Sequence, residues 1–123
     1  GICLGMQLLC SHSEENDTDC MGIFQEKVMR FDPATRTEYK VPHMGWNSIS
    51  DLKGPLFERV PNESFCYFVH SYYASLGAHT IALTEFIHPF SSALQKGNFY
   101  GVQFHPEKSA DAGERILQNF LKL

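Results

Sequence analysis

A cysteine between two glycines is the first chemically informative feature of this 123-residue sequence. Residues 1–5 read GICLG, so a glycine lies two positions from Cys3 on either side. The pattern G-x-C-x-G is the cysteine counterpart of the serine nucleophile elbow, in which a sharp strand-to-helix turn exposes the nucleophile. Glycines beside such a turn remove side chains that would collide. Cys3 is therefore a candidate nucleophile, and the N–H of Leu4 is a candidate oxyanion donor because it follows directly.

A thiol nucleophile needs a base, and a third group usually orients that base. His105 stands out among six histidines because it follows a β-like run, in the segment QFHPEKS, and lies two residues before Glu107. Pro106 stops a strand, since proline has no N–H and a restricted φ. Glu107 could then accept the Nδ1–H of His105 at a strand end. Cys3, His105 and Glu107 are the predicted catalytic residues, and the alternative for Cys3 is a glycine-flanked core cysteine.

The elements that must position these residues are a helix at each end of the chain and strands between them. Apolar spacing predicts a short helix over 6–10 and an amphipathic helix over 111–121, with another short helix at 56–60. Segments rich in β-branched and aromatic residues predict strands at 22–31, 37–44, 64–74, 79–86 and 99–104. So few helices leave much of a sheet uncovered.

Composition excludes several classes of function. The net charge is −4 with scattered Lys and Arg residues, which argues against nucleic acid as a partner. No apolar run is long enough to cross a bilayer, so we expect no membrane association and a cytoplasmic location. Cys10, Cys20 and Cys66 form no C-x-x-C pair, which predicts free thiols, no disulfide framework and no metal site.

Four segments together resemble a known family. GICLGMQLL with GVQFHPEKS resembles the class I, triad-type glutamine amidotransferases. VPHMGWNSI with YFVHSYYA narrows the resemblance to glutaminase subunits of imidazole glycerol phosphate synthase. The resemblance implies an α/β, flavodoxin-like domain with a central mixed sheet and flanking helices. It also implies hydrolysis of L-glutamine through a thioester on Cys3, without a cofactor, and transfer of ammonia to a (β/α)8-barrel synthase in histidine biosynthesis.

The resemblance also assigns binding residues. Those expected to contact glutamine are Gly5, Gln7, Glu15, His70, Ser71 and Tyr72, and those expected to face the synthase are His43, Met44, Trp46, Asn47 and Lys108. Three of these assignments have simpler alternatives. Glu15 and Lys108 could be ordinary solvated side chains, and Trp46 could be a core tryptophan.

The resemblance places the elbow well inside a longer domain, so we expect residues 1–123 to be the C-terminal part of one. The first strands and helices, with a second oxyanion donor, would then be missing. Loss of one such donor costs on the order of 100- to 1,000-fold in rate, so we expect the chain alone to be poorly active. The exposed sheet edge could pair with a second copy of the chain.

Two other classes of function remain open at this stage. One is a non-catalytic remnant that acts as a binding or assembly subunit. The other is a different cysteine hydrolase, acting on γ-glutamyl compounds.

Overall fold

Strands dominate the chain, as the computed structural model shows; it describes residues 1–123, leaving out the side chain of Thr35. Two α-helices lie in the described residues, α1 (Leu4–Leu8) and α2 (Ala110–Leu121). The strands are β1 (His12–Ser13), β2 (Thr18–Asp19), β3 (Val28–Arg30), β4 (His43–Ile49), β5 (Ser64–His70), β6 (Tyr72–Ala74), β7 (Thr80–Phe86), β8 (His88–Lys96) and β9 (Phe99–Val102). Short 3₁₀ turns include Glu15–Asp17, Pro55–Phe57 and Pro106–Lys108.

The main sheet is mixed, as predicted. Its strand order is β2-β1-β3-β6-β8-β7, and β9 also pairs with β8. β1 runs parallel to β3, whereas the other named pairs are antiparallel. A parallel bridge from Ile2 to Val102 connects the start of the chain to the end of β9. Because of that bridge, the elbow and the segment after β9 lie side by side.

A separate two-stranded ribbon is formed by β4 and β5, which pair in antiparallel register from His43↔His70 to Ile49↔Ser64. On β4 the burial alternates at its start, with His43 buried and Met44 and Trp46 exposed. The chain leaves the ribbon at Ser71 and enters the main sheet through β6. The segment predicted to bind glutamine therefore lies at the junction of the two sheets.

The interior is largely aromatic. Phe31, Phe68, Phe90 and Phe104 are almost fully buried and belong to the larger of two hydrophobic clusters. The helix α2 covers this cluster with Ile116. Burial of one such side chain stabilises a fold by roughly 1.5–3 kcal/mol. This cluster packs β5 against the segment that follows β9, with the rings of Phe68 and Phe104 5.8 Å apart.

Several predicted elements are wrong or displaced. The predicted strand at 37–44 is wrong in position, since β4 begins only at His43, and the one at 22–31 shortens to β3. The predicted strand at 64–74 divides into β5 and β6, and the helix at 56–60 is a 3₁₀ turn. β8 was missed, because its proline and serines resemble a loop in sequence while its interior is buried. Both terminal helices are confirmed, with shifted bounds.

Within the described residues, no helix has both the length and the hydropathy that crossing a membrane requires.

Candidate active site

The backbone at Cys3 has the unusual conformation expected of a nucleophile elbow. Its φ of 53° and ψ of −112° lie outside the regions that residues with a side chain ordinarily adopt. The N–H of Cys3 donates to the carbonyl of Val102 at 2.8 Å, which ties the turn to the end of β9. A Cβ on Gly1 would lie 2.5 Å from the carbonyl carbon of Gly5, whereas a Cβ on Gly5 would meet nothing within 4 Å. A side chain at position 1 would therefore collide with the backbone, whereas a side chain at position 5 would not.

The Cys3 thiol is half-buried and has two polar neighbours. Its Sγ lies 3.8 Å from the carbonyl oxygen of Val69 and 3.6 Å from Nε2 of Gln103. Burial raises the pKa of the Cys3 thiol, hydrogen bonds from Leu4 and Gln103 lower it, and the charge of Glu107 raises it. The burial cost dominates, so the site needs a base to ionise this thiol.

The imidazole of His105 is oriented by Glu107. Its Nδ1 donates to Oε2 of Glu107 at 2.9 Å, because an ionised carboxylate only accepts hydrogen bonds. The side chain of Glu107 is 49% exposed, so water screens this interaction. With Nδ1 occupied by its proton, Nε2 of His105 is left as the basic nitrogen.

The strand β5 brings nucleophile and base to one place. The N–H of His105 donates to the carbonyl of Tyr67 at 2.9 Å, and the thiol of Cys3 lies against the carbonyl of Val69, two residues along the same strand. The Ser109 hydroxyl strengthens this junction. It accepts from the N–H of Tyr67 at 3.0 Å and donates to the carbonyl of His105 at 2.6 Å.

Gln7 and Glu15, two of the residues expected to bind glutamine, both line a small cavity beside α1. The cavity has a volume of about 120 Å³, and its lining includes Leu4, Gln7, Glu15 and Asn16. Glu15 is exposed in the turn Glu15–Asp17, whereas Gln7 is buried. Gln7 donates through Nε2 to the carbonyl of Tyr72 at 2.9 Å. The elbow helix and the 70–72 segment are thereby joined directly.

A chain of hydrogen bonds continues from Tyr72 into the ribbon. The Tyr72 carbonyl accepts from Nδ1 of His70 at 2.7 Å, so Nε2 of His70 is an acceptor and takes the Nδ1–H of His43 at 2.9 Å. Nε2 of His43 then accepts from Asn47 at 3.2 Å. Burial lowers the pKa of His43 to about 3 and that of His70 to about 4, so both rings are neutral.

The residues expected to face a partner fall into two groups. His43 is buried and stacks on Phe86 with ring centroids 4.2 Å apart, so its side chain offers no surface to a partner. Met44 and Trp46 are 63% and 54% exposed, which argues against Trp46 as a core residue. The amide of Asn47 is turned inward to His43 and to the carbonyl of Glu85.

Lys108 extends the exposed group toward His105 and Glu107. The segment 105–108, which carries these candidate catalytic residues, is called here the catalytic turn. Its Nζ lies 5.9 Å from the ring centroid of Tyr67, and that ring lies 6.0 Å from the ring of Trp46 in an edge-to-face arrangement. Met44, Trp46, Tyr67 and Lys108 form one continuous surface, called here the ribbon face.

Comparison with known proteins decides the family. The family model described as "Glutamine amidotransferase class-I" matches residues 1–123. The chain belongs to the class I glutamine amidotransferases. It is 59% identical over 123 residues to the imidazole glycerol phosphate synthase subunit HisH of Bacteroides fragilis and 45% identical over 130 residues to that of Vibrio cholerae. These alignments cover the whole of this chain and 62% and 63% of the two relatives, so it spans about three fifths of their length.

A solved structure supports the fold of this class I amidotransferase. The glutaminase domain of Trypanosoma brucei CTPS, determined with bound acivicin, superposes with a TM-score of 0.63 at 18% identity. The match covers 99% of this chain and 59% of the other.

No cluster of three or more His, Cys, Asp or Glu side chains suited to a metal ion occurs in the described part of this amidotransferase chain. Cys10 and Cys66 are buried free thiols, and burial raises the pKa of each to about 12.

The sequence reasoning missed three polar or aromatic residues in this amidotransferase site. They are Tyr67, Gln103 and Ser109. A signal for Gln103 was present in the sequence, because alternation along a strand places it on the same face as His105, two residues later. Ser109 and Tyr67 carried no such signal, because they contact each other across 42 residues of sequence.

Proposed function

We propose that the protein is the glutaminase subunit of an imidazole glycerol phosphate synthase, hydrolysing L-glutamine to glutamate and ammonia. The observation that carries the proposal is the strained backbone of Cys3, held beside a histidine that Glu107 orients. The two relatives named above carry the name of this subunit and support the choice of substrate and pathway.

The chemistry follows from the roles of the side chains. Nε2 of His105 takes the thiol proton as Sγ of Cys3 attacks the side-chain amide carbon of glutamine. The same proton passes from His105 to the leaving nitrogen, so ammonia departs and a glutamyl thioester remains. His105 then accepts a proton from water as the water oxygen attacks the thioester. The C–S bond breaks, and the thiol is restored with the proton held on His105.

Leu4 supplies one donor to the oxyanion that forms at each attack. Its N–H follows the nucleophile directly, and its interaction with the sulfur lowers the pKa of Cys3. A donor placed there before the reaction stabilises developing negative charge without a reorganisation cost.

The substrate would occupy the cavity beside α1, with its reacting amide at Cys3. Gln7 and Glu15 line this cavity, and Gly5 leaves open space next to the elbow. The segment formed by His70, Ser71 and Tyr72 lies within hydrogen-bonding reach of Gln7 through the Tyr72 carbonyl. Polar groups from two elements therefore converge where the ends of glutamine would be recognised.

The partner would be a (β/α)8-barrel synthase that takes up the ammonia. The ribbon face exposes Met44 and Trp46 directly beside Lys108, the residue after Glu107. Large exposed apolar side chains such as Met and Trp are typical of the centre of a protein interface, and charged side chains such as Lys108 suit its rim. A partner bound there would cover the catalytic turn and keep ammonia from bulk water.

The direct test is ammonia release from glutamine by the full chain, with and without the barrel synthase. We expect activity that the synthase raises. A glutamine-analogue alkylating agent should label Cys3 and leave Cys10, Cys20 and Cys66 unlabelled, as mapped by peptide mass spectrometry. Equal labelling of Cys3 and Cys20, or no ammonia in either condition, would favour a non-catalytic subunit. Ammonia from glutamine together with cleavage of γ-glutamyl peptides would indicate the other hydrolase class.

A further inference from the structure

Gln103 is a buried amide beside the nucleophile to which the mechanism above gives no role. Its side chain is fully buried at the end of β9. Its Nε2 lies 3.6 Å from Sγ of Cys3, and its Oε1 accepts from Nε2 of Gln7 at 2.9 Å. Among the hydrogen bonds of the described residues, the sulfur of Cys3 is the one acceptor of the Gln103 side chain.

The orientation of this amide follows from a backbone carbonyl. The carbonyl of Tyr72 can only accept, so the atom of Gln7 that contacts it must be the NH₂ group. The same NH₂ group of Gln7 contacts Gln103, whose facing atom must therefore be the oxygen. The NH₂ group of Gln103 is then left facing the sulfur of Cys3. A reversed amide would place two donors against each other.

The backbones of Gln103 and Cys3 are fixed to two paired strands, β8 and β9. The N–H of Gln103 donates to the carbonyl of Ser92 at 2.8 Å, and the N–H of Cys3 donates to the carbonyl of Val102 at 2.8 Å. The backbone of Gln103 therefore cannot move away from Cys3 without breaking these hydrogen bonds, and the contact with Gln7 fixes the rotation of its amide.

The two neighbours of the sulfur suit different protonation states. The Val69 carbonyl accepts the S–H proton of the neutral thiol, whereas it repels a thiolate. The Gln103 NH₂ group bonds weakly to a thiol and strongly to a thiolate, because hydrogen bonds to charged groups are stronger. Its hydrogen bond lowers the pKa of Cys3 against the burial that raises it.

We propose that Gln103 is a positioning residue that holds the thiolate of Cys3 in the half-buried elbow, with its amide oriented by Gln7 and the Tyr72 carbonyl. The significance for glutamine hydrolysis rests on the proposed function. The stabilisation of the thiolate does not, because it is a property of the resting protein.

The test is the pH dependence of Cys3 alkylation by iodoacetamide in the full chain, followed by peptide mass spectrometry. Gln103→Met removes the donor and keeps a similar volume. We expect its alkylation profile to move to higher pH, with a rate at pH 7 lowered about tenfold or more, as loss of a hydrogen bond to a charged group predicts. Gln95→Met is the matched control, since the Gln95 amide bonds Tyr100 and Gly97 instead. Its Cys3 profile should equal that of the parent.

Gln7→Met provides a second variant that leaves Gln103 in place. Without its partner the Gln103 amide can rotate, so we expect a smaller change in the same direction. A parental alkylation profile in folded Gln103→Met would overturn the proposal. If Gln103→Met does not fold, as judged by circular dichroism, a parental profile in Gln7→Met would overturn it instead.

Activity separates this proposal from the proposed function. In Gln103→Met we expect kcat for glutamine to fall with KM nearly unchanged, because Gln103 touches the nucleophile rather than the substrate. A parent chain without glutaminase activity would contradict the proposed function, while the alkylation profiles would still decide the role of Gln103.

Discussion

The two ends of the candidate site are built in different ways. At the elbow, Cys3 takes its contacts from Val69, Val102 and Gln103, residues 66 to 100 positions away in the chain. At the catalytic turn, His105 takes its orienting partner from Glu107, two residues away. The side chain of Cys3 is partly buried, whereas that of Glu107 is exposed to solvent. Tertiary packing therefore determines the state of the nucleophile, and local geometry determines that of the base.

The largest effect is expected from removing the nucleophile or the base, and the double variant tests whether Cys3 and His105 act as one unit. Cys3→Ser and His105→Asn should each lower kcat for glutamine by at least about 10⁴-fold, as is typical when a nucleophile or its base is removed. The double variant should be no slower than either single variant. Steady-state ammonia release measures this, and additive losses would mean that Cys3 and His105 act separately.

The next prediction concerns the close backbone approach at the elbow. Gly1→Ala should lower the free energy of unfolding by about 1–3 kcal/mol, because its Cβ would overlap the backbone of Gly5. Gly5→Ala is the control, and it should be neutral or stabilising by up to about 1 kcal/mol, since its Cβ meets nothing. Urea denaturation compares the two variants, and equal losses would contradict the steric account.

A smaller effect is expected at the turn. Glu107→Gln should lower kcat/KM about tenfold, less than the loss of a general acid or base itself costs, because solvent already screens the exposed carboxylate. Glu114→Gln, on the exposed side of α2, should leave the rate unchanged. A loss in Glu107→Gln as large as that in Cys3→Ser would show that the turn depends on its carboxylate as strongly as the elbow depends on its thiol.

The last prediction concerns the pH dependence of stability, which depends on the buried histidines of the ribbon. The pKa values of His43 and His70 are lowered in the fold to about 3 and about 4, below the ordinary value near 6.5. The unfolded chain therefore binds protons first as the pH falls. Stability should drop below about pH 6.5, with a slope approaching about 1.4 kcal/mol per pH unit for each histidine, until the folded pKa values are reached.

Denaturation midpoints between pH 7 and 5 measure this slope. His43→Phe removes one buried base, so its slope should be shallower than that of the parent, whatever its absolute stability. An equal slope in both proteins would contradict the assignment to His43.

The sequence carries clearer signals for the candidate site than for the sheet. The elbow and the turn each carry a local signature, glycines around Cys3 and a proline after His105, so both could be found without the fold. β8 could not, since Pro89, Ser91 and Ser92 look like loop residues, and the two serines lie in a strand because the sheet buries them. The placement of His43 could not either, because burial depends on which face of β4 meets Phe86.

What the sequence determined by itself is the chemistry that lies within a few neighbouring residues. A Cys3 elbow and a His105–Glu107 pair follow from residue types and spacing, because steric limits and hydrogen-bond reach act over those short distances. What only the tertiary structure decided is the environment of the thiol. Burial, the Val69 carbonyl and the oriented amide of Gln103 come from distant parts of the chain. They meet at Cys3 because the aromatic core packs β5 against the segment that follows β9.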